Sequence, residues 1–118
     1  MNNKIKKNPL VFIKHVRDSI EEIVSFTKDI SKEKFMNEKL IQNAVIRSIE
    51  VIGEAVKNLS TSFKNKYAEV PWNKVVGMRD KVIHHYFGVD LETIWKVVKE
   101  HIPKLRKDIQ EILEKEEN

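Results

Sequence analysis

The chain has 118 residues, 41% hydrophobic and 34% charged, and its three glycines and three prolines are too few for a turn-rich β fold. This length and composition fit one helical domain and exclude a disordered chain. The lack of cysteine excludes a disulfide scaffold, a zinc–thiolate site and a cysteine nucleophile. It is also compatible with a reducing cytoplasm. The 22 basic and 18 acidic residues give a net charge of +4, which permits contact with nucleic acid without requiring it.

The N-terminal third predicts a basic tail followed by a long helix. Residues 1–8 carry three lysines, and no apolar stretch of signal-peptide or membrane-spanning length follows them. Apolar residues then recur every three or four positions from Leu10 to Ile30, which predicts an amphipathic helix. Asn8 followed by Pro9 is a typical helix start.

A second long helix is predicted after a turn. Ser31–Asn37 has the composition of a turn region, with Phe35 as an apolar anchor. The helix itself is expected over residues 37–60, where apolar residues again keep helical spacing. Gly53 lies inside this helix, where glycine is destabilising relative to alanine. Close approach of a crossing helix is the favoured explanation for this glycine, ahead of a functional role.

The next segment is predicted to be irregular and then to form two short helices. Residues 61–70 are polar without clear periodicity, which favours a loop or a frayed turn. Pro71 is expected to open a short helix over residues 72–76, and Gly77 to break it. A further short helix is expected over residues 78–86.

A last long helix completes the predicted fold. Asp90 is a suitable cap for it, and Pro103 inside its apolar stripe predicts a kink or a boundary. The whole chain, residues 1–118, is therefore expected to be a single all-α domain, an up-and-down bundle of four to five helices. Residues 114–118 are rich in glutamate and are predicted to fray.

Side chains that can take part in catalysis are concentrated in one segment, residues 78–87, which contains two cations, an acid, two histidines and a tyrosine. The chain has no glycine-rich phosphate loop and no His-Glu-x-x-His pair. Asp80 and His84 are four residues apart, so on a helix the carboxylate could orient the imidazole. Arg79 and His84 are five apart, about 140° around a helix axis. They converge only if Arg79 curls back, if the helix ends near His84, or if a second subunit completes the site.

The histidines of the chain allow other interpretations. The segment could be a short surface helix whose histidines are incidental. A metal site is disfavoured, because His84 and His85 point about 100° apart on a helix and no third ligand is in register. His15 and His101 lie on long amphipathic helices, where boundary or surface positions are expected.

Several blocks of sequence together resemble one family. Residues 79–86, Arg-Asp-Lys-Val-Ile-His-His-Tyr, resemble the Arg-x4-His-x-Tyr signature of HepT-like HEPN toxins. Residues 46–55, with Arg-x-x-Glu and Ile-Gly-Glu-Ala, residues 70–78, with Pro-Trp…Gly-Met, and residues 87–95 resemble the surrounding family blocks. They run in family order, and no motif position departs from the pattern.

The resemblance implies an all-α HEPN fold, usually a homodimer, that acts as a metal-independent ribonuclease toxin on mRNA or tRNA, without a cofactor. The implied partner is an MNT-type nucleotidyltransferase antitoxin, similar to an adenylyltransferase, which silences the toxin by adding AMP to the motif tyrosine, here Tyr86. A symmetric dimer with a shared cleft would supply two arginines and two histidines.

The residues fit this chemistry. Arg79 could clamp a phosphate with its planar fork, and His84 could serve as general base or acid. Supporting or RNA-binding roles are expected for Asp80, Lys81, His85, Tyr86 and Arg47. A structural ion pair explains Arg47 and Glu50 about as well. The alternative function is a non-catalytic HEPN module that binds RNA, nucleotide or a partner protein, and a plain structural bundle is the third possibility.

Overall fold

The structure, a computed structural model, describes residues 8–84 and 90–117, except for the side chains at positions 83 and 84. This part of the chain contains helices and no strands, so the predicted all-α class is confirmed. The helices are α1 (Pro9–Thr27), α2 (Lys32–Asn37), α3 (Lys39–Lys57), α4 (Thr61–Lys66), α5 (Trp72–His84), α6 (Leu91–Lys96), a π-helical segment (Val97–His101) and α7 (Ile102–Glu117). No described helix is long and apolar enough to span a bilayer.

The helix α1 begins where the sequence predicts it. The Asn8 side chain accepts a hydrogen bond from the Leu10 N–H at 2.9 Å, and Pro9 occupies the first turn, where its missing N–H is not needed. The apolar stripe of α1 is buried, with Ile13, Val16 and Ile23 fully inaccessible to solvent. This burial against the other long helices stabilises α1 in the bundle.

The long helices pack side by side around one core. The helix α1 packs against α3 and α7, and α3 packs against α5. Ser48 donates to the Glu22 carboxylate at 3.2 Å, which links the second half of α1 to the middle of α3. At the preceding residue of α1, the Arg106 guanidinium of α7 donates two hydrogen bonds to Glu21, at 2.8 and 2.9 Å. The bundle therefore joins its N-terminal and C-terminal long helices directly.

Two short helices occupy segments for which a turn and a loop were predicted. Both start with a serine cap: Ser31 accepts from the Lys34 N–H at 3.0 Å, and Ser60 accepts from the Phe63 N–H at 3.1 Å. Each six-residue helix buries one aromatic side chain, and Phe35, the predicted anchor, is fully buried. The prediction was wrong in both places because six residues are too few to show helical periodicity, whereas a cap and one buried ring suffice to hold the turn.

The helix α5 is continuous from Trp72 to His84, so the predicted break at Gly77 was wrong. Its start is anchored because the buried Trp72 indole donates to the carbonyls of Tyr67 and Lys64, at 3.1 and 3.2 Å. Packing of α5 on α3 outweighs the helix-destabilising effect of one glycine. The lead-in to the Arg79 motif is therefore one rigid helix instead of two.

The last long helix carries the irregularity predicted at Pro103. Asp90 caps α6 by accepting from the Thr93 N–H at 3.3 Å. Pro103 has no N–H to donate to the carbonyl four residues earlier, and its ring crowds that carbonyl. The preceding turn widens, so that the Ile102 N–H bonds the Val97 carbonyl in the five-residue pattern of a π-helix.

The C-terminal end, predicted to fray from residue 114, is helical through Glu117. Its ion pairs with other helices account for this, because Glu117 pairs with Lys14 at 3.1 Å and Glu116 pairs with Lys66 at 2.7 Å. The buried Tyr67 hydroxyl also donates to the Glu116 carboxylate. Burial and this hydrogen bond raise the pKa of Tyr67 to about 12, and the hydrogen bonds from Lys66 and Tyr67 lower the pKa of Glu116.

We expect Tyr67→Phe to lower the free energy of unfolding by about 1–2 kcal/mol at pH 7, because it removes a hydrogen bond to a charged acceptor. Because the folded-state pKa of Glu116 is lowered, its carboxylate stabilises the folded state at pH values above the unfolded-state pKa. This stabilisation is lost as the pH falls through the folded-state pKa. The difference between wild type and variant should therefore shrink in acid. Urea denaturation at pH 7 and at an acidic pH below the folded-state pKa of Glu116 measures this difference, and Glu114→Gln, at an exposed position, is the control. Equal stability of Tyr67→Phe and wild type at pH 7 would contradict this role.

Candidate active site

Arg79 lies where α5 crosses α3 at Gly53. A Cβ atom placed on Gly53 would lie 2.7 Å from Arg79 Cδ and 2.8 Å from Arg79 Cγ, and it would also overlap Arg79 Cβ. These separations are far inside van der Waals contact, so the aliphatic part of Arg79 lies directly on the bare backbone of α3. The predicted close approach at Gly53 is confirmed, and the group that approaches is the arginine of the motif.

The Arg79 guanidinium is held by two carboxylates. Its Nη2 lies 3.3 Å from Glu54 Oε2 on α3, and its Nη1 lies 3.3 Å from Asp80 Oδ1 on the same helix. The Arg79 side chain is 23% exposed, whereas those of Glu54 and Asp80 are 60% and 52% exposed. Ion pairs with such exposed acids are weak, so an incoming phosphate can compete for the guanidinium.

Arg79 shares a cavity of about 470 Å³ with Arg47. The cavity lies between α1, α3 and α5, and its lining residues are Phe12, His15, Arg47, Glu50, Val51, Glu54, Ala55, Asn58 and Arg79. Within the described part of the chain, Arg47 is exposed and has no ion pair with Glu50, so the structural pair considered for these two residues does not form. The structure thus brings two predicted site residues, 32 positions apart, into one cavity.

The remaining predicted site residues are described only in part. Lys81 is exposed on α5. His84 is the final residue of α5 as described, and its side chain lies outside the description. His85 and Tyr86, the expected modification site, also lie outside the described residues. Since α5 is helical from Arg79 to His84, the backbone positions of these two residues are about 140° apart around the helix axis and about 7.5 Å apart along it.

Seven of the nine cavity residues were not among the predicted site residues, and three of these seven are Phe12, His15 and Glu54. His15 is exposed, as predicted, but it also lines the cavity. A signal for this wall exists in the sequence, because Arg47, Glu50, Glu54 and Asn58 recur at helical spacing beside the apolar stripe of α3. Among the described residues, no cluster of His, Asp or Glu has the arrangement of a metal site.

Comparison with known proteins identifies the family. The family model described as Ribonuclease HepT-like matches residues 16–112. A Methanocaldococcus jannaschii protein named "Gamma-glutamylcyclotransferase and putative RNase" is 46% identical over 110 residues, 93% of this chain and 50% of the relative, so the chain spans half of that protein. No solved structure gives a significant match.

Two further relatives are matched over almost their whole length. A Caldanaerobacter subterraneus protein named "Putative RNase" is 44% identical over 93% of this chain and 98% of its own. The "Probable ribonuclease HepT" of Thermococcus cleftensis is 45% identical over 86% of this chain and 93% of its own. The chain belongs to the HepT-like ribonuclease family.

Proposed function

We propose that the chain is the toxin of a toxin–antitoxin system and cleaves mRNA or tRNA without a metal ion, using Arg79 and His84. The observation that carries the proposal is the cavity that Arg79 and Arg47 line together. Arg79 lies on α5, the same helix whose last described residue is His84. Two guanidinium groups in one cavity match the phosphates of an RNA strand in charge and geometry. Family membership supports ribonuclease activity as the reaction.

The proposed reaction needs three contributions. A base takes the proton from the RNA 2′-hydroxyl, an acid protonates the leaving 5′-oxygen, and positive charge stabilises the phosphorane between them. Arg79 supplies the positive charge, because it lines the cavity and its side chain is partly exposed. A histidine can supply the base or the acid near neutral pH, and His84 takes this role in the proposal.

A homodimer is part of the proposal because of the angle between positions 79 and 84. Since α5 is helical through both positions, they face about 140° apart within one protomer. A symmetric pair of protomers would place the Arg79 of one beside the His84 of the other and give two arginines and two histidines in one cleft. Lys81, exposed on the same helix, would add positive charge along the RNA.

The proposed antitoxin is an MNT-type nucleotidyltransferase that adds AMP to Tyr86. The added anionic nucleotide would fill the cleft and weaken its positive field, which disfavours RNA. Co-expression with the nucleotidyltransferase of a neighbouring reading frame tests this, with the intact mass of the chain as the readout. We expect the mass to increase by one or more AMP units, and Tyr86→Phe to prevent this increase. An unchanged mass after co-expression with an active nucleotidyltransferase would overturn the proposed AMP addition.

Cleavage itself is tested with the purified chain and labelled RNA in the presence of EDTA. We expect wild type to cut the RNA but not its 2′-deoxy analogue, and His84→Ala to slow cleavage at least about 100-fold, the usual contribution of a general acid or base. The control is His101→Ala, which replaces an exposed histidine outside the cavity and should keep full activity.

Two outcomes would contradict the proposed function. Wild-type rates in His84→Ala would exclude this histidine as the acid or base. Binding of RNA without any cleavage by the wild-type chain would instead indicate the alternative function, a non-catalytic HEPN module.

A further inference from the structure

We propose that Gly53 is a positioning residue for Arg79: the absence of a side chain on α3 creates the surface on which the arginine stem rests and directs its guanidinium into the cavity. This inference rests on the proposed function, because it assigns a consequence to the placement of Arg79. It concerns a residue on a different helix, 26 positions earlier in the chain.

The contact cannot be relieved by rotating the arginine. A side chain at Gly53 would overlap Arg79 Cβ as well as Cγ and Cδ. Rotation about χ1 moves Cγ and Cδ away, but Cβ is fixed to the backbone of α5. An alanine at position 53 therefore has to push α5 away from α3, and Arg79 moves with its helix.

Backbone conformation does not account for the glycine. No described glycine has a positive φ, so alanine could adopt the helical backbone at position 53. Glycine inside a helix is destabilising relative to alanine. At position 53 the close packing of Arg79 on the glycine backbone offsets this destabilisation. The glycine therefore serves the approach of the two helices at this arginine.

The packing on Gly53 dominates over the ion pair beside it. Glu54 also contacts Arg79, but its side chain is 60% exposed, and exposed ion pairs contribute little. By the same reasoning Glu54→Gln should change the cleavage rate by at most about fivefold, since an exposed pair rarely exceeds about 1 kcal/mol. Loss of the glycine surface should have a much larger effect.

Gly77 provides the matched control on the partner helix. It lies two residues before Arg79 on α5, it is also helical, and a Cβ placed on it meets nothing within 4 Å. Alanine at position 77 stabilises the helix without touching another residue. The two glycines therefore separate the effect of losing flexibility from the effect of filling the contact.

The experiment compares steady-state RNA cleavage by wild type, Gly53→Ala, Gly77→Ala and the double variant, each shown by circular dichroism to be folded at the assay temperature. We expect Gly53→Ala to lower kcat about 100-fold, the effect of displacing a catalytic group by about 1 Å. Gly77→Ala should keep the wild-type kcat. The double variant should regain stability but not kcat, which a purely destabilising effect of Gly53→Ala would not produce.

A second measurement does not depend on cleavage. The Nε–H resonance of Arg79 in a ¹H–¹⁵N spectrum, assigned with Arg79→Lys, reports the surroundings of the guanidinium. We expect Gly53→Ala to shift or broaden it and Gly77→Ala to leave it in place. An unchanged resonance together with an unchanged kcat in Gly53→Ala overturns the inference.

The outcomes also distinguish the inference from the proposed function. If the wild-type chain does not cleave RNA, the proposed function fails, and the Arg79 resonance still tests whether Gly53 positions the arginine. If Arg79 variants lose cleavage while Gly53→Ala retains both the wild-type kcat and the wild-type Arg79 resonance, the proposed function stands and the inference alone is overturned.

Discussion

Arg79→Ala is expected to lower the rate of RNA cleavage by about 1,000-fold or more, the range measured for arginines that stabilise a transferring phosphoryl group. Among the described residues of the motif, Arg79 is the one that lines the cavity, and a second arginine, Arg47, lines the same cavity. Removal of the Arg79 guanidinium takes away both the charge and the fork that match a phosphorane. Arg79→Lys should recover only part of the rate, because an ammonium keeps the charge but not the planar fork.

Arg17→Ala is the matched control for this experiment. Arg17 pairs with the next residue, Asp18, at 3.1 Å, just as Arg79 pairs with Asp80, but it lies on α1 and does not line the 470 Å³ cavity. Both variants lose one positive charge and the ion pair with the next residue, and Arg79→Ala also loses the pair with Glu54. A comparable loss of cleavage in both would indicate a general electrostatic effect, and full activity in Arg79→Ala would contradict a catalytic role.

Phe35→Ala is expected to lower the free energy of unfolding by about 3–5 kcal/mol, the usual cost of deleting a buried aromatic ring and leaving a cavity. Phe35 is fully buried, and its ring centroid lies 5.1 Å from that of Trp95. The ring therefore connects the six-residue α2 to α6. Because domains of this size have a total stability of about 5–15 kcal/mol, this variant should be close to unfolding.

Urea denaturation followed by circular dichroism measures this loss, with Leu40→Ala as the control. Leu40 is 81% exposed, so its truncation should change the free energy of unfolding by no more than about 0.5 kcal/mol. Phe35→Leu should retain more stability than Phe35→Ala because it fills part of the space. A loss below about 1 kcal/mol in Phe35→Ala would contradict the packing described for α2.

Local signals in the sequence were sufficient for the long helices but not for the short ones. The start of α1 could be predicted because Asn8 and Pro9 satisfy the first turn and the apolar stripe continues along the 19 residues of the helix. By contrast, α2 and α4 depend on one serine cap and one buried ring each, which a periodicity search cannot detect. The predicted break at Gly77 does not occur because the helix is held by packing on α3 and by the Trp72 anchor, both of which are tertiary contacts.

The candidate site was predictable as a motif but not as a cavity. Arg79 and Arg47 were both singled out from their residue types and from the resemblance. Their shared cavity depends on how α3 and α5 cross, and that crossing depends on the contact at Gly53. His15 could not be assigned to this cavity, because its position depends on which face of α1 packs against α3.

The double hydrogen bond between Glu21 and Arg106 has a consequence for how the molecule folds. The two residues are 85 positions apart, and Lys14 and Glu117, which also pair, are still further apart. Contacts of such high sequence separation slow folding, since a long loop has to close before they form. During synthesis, α1 and α3 can associate early, but the face of α1 that receives α7 stays exposed until α7 has left the ribosome. Completion of the bundle therefore waits until α7 has been synthesised.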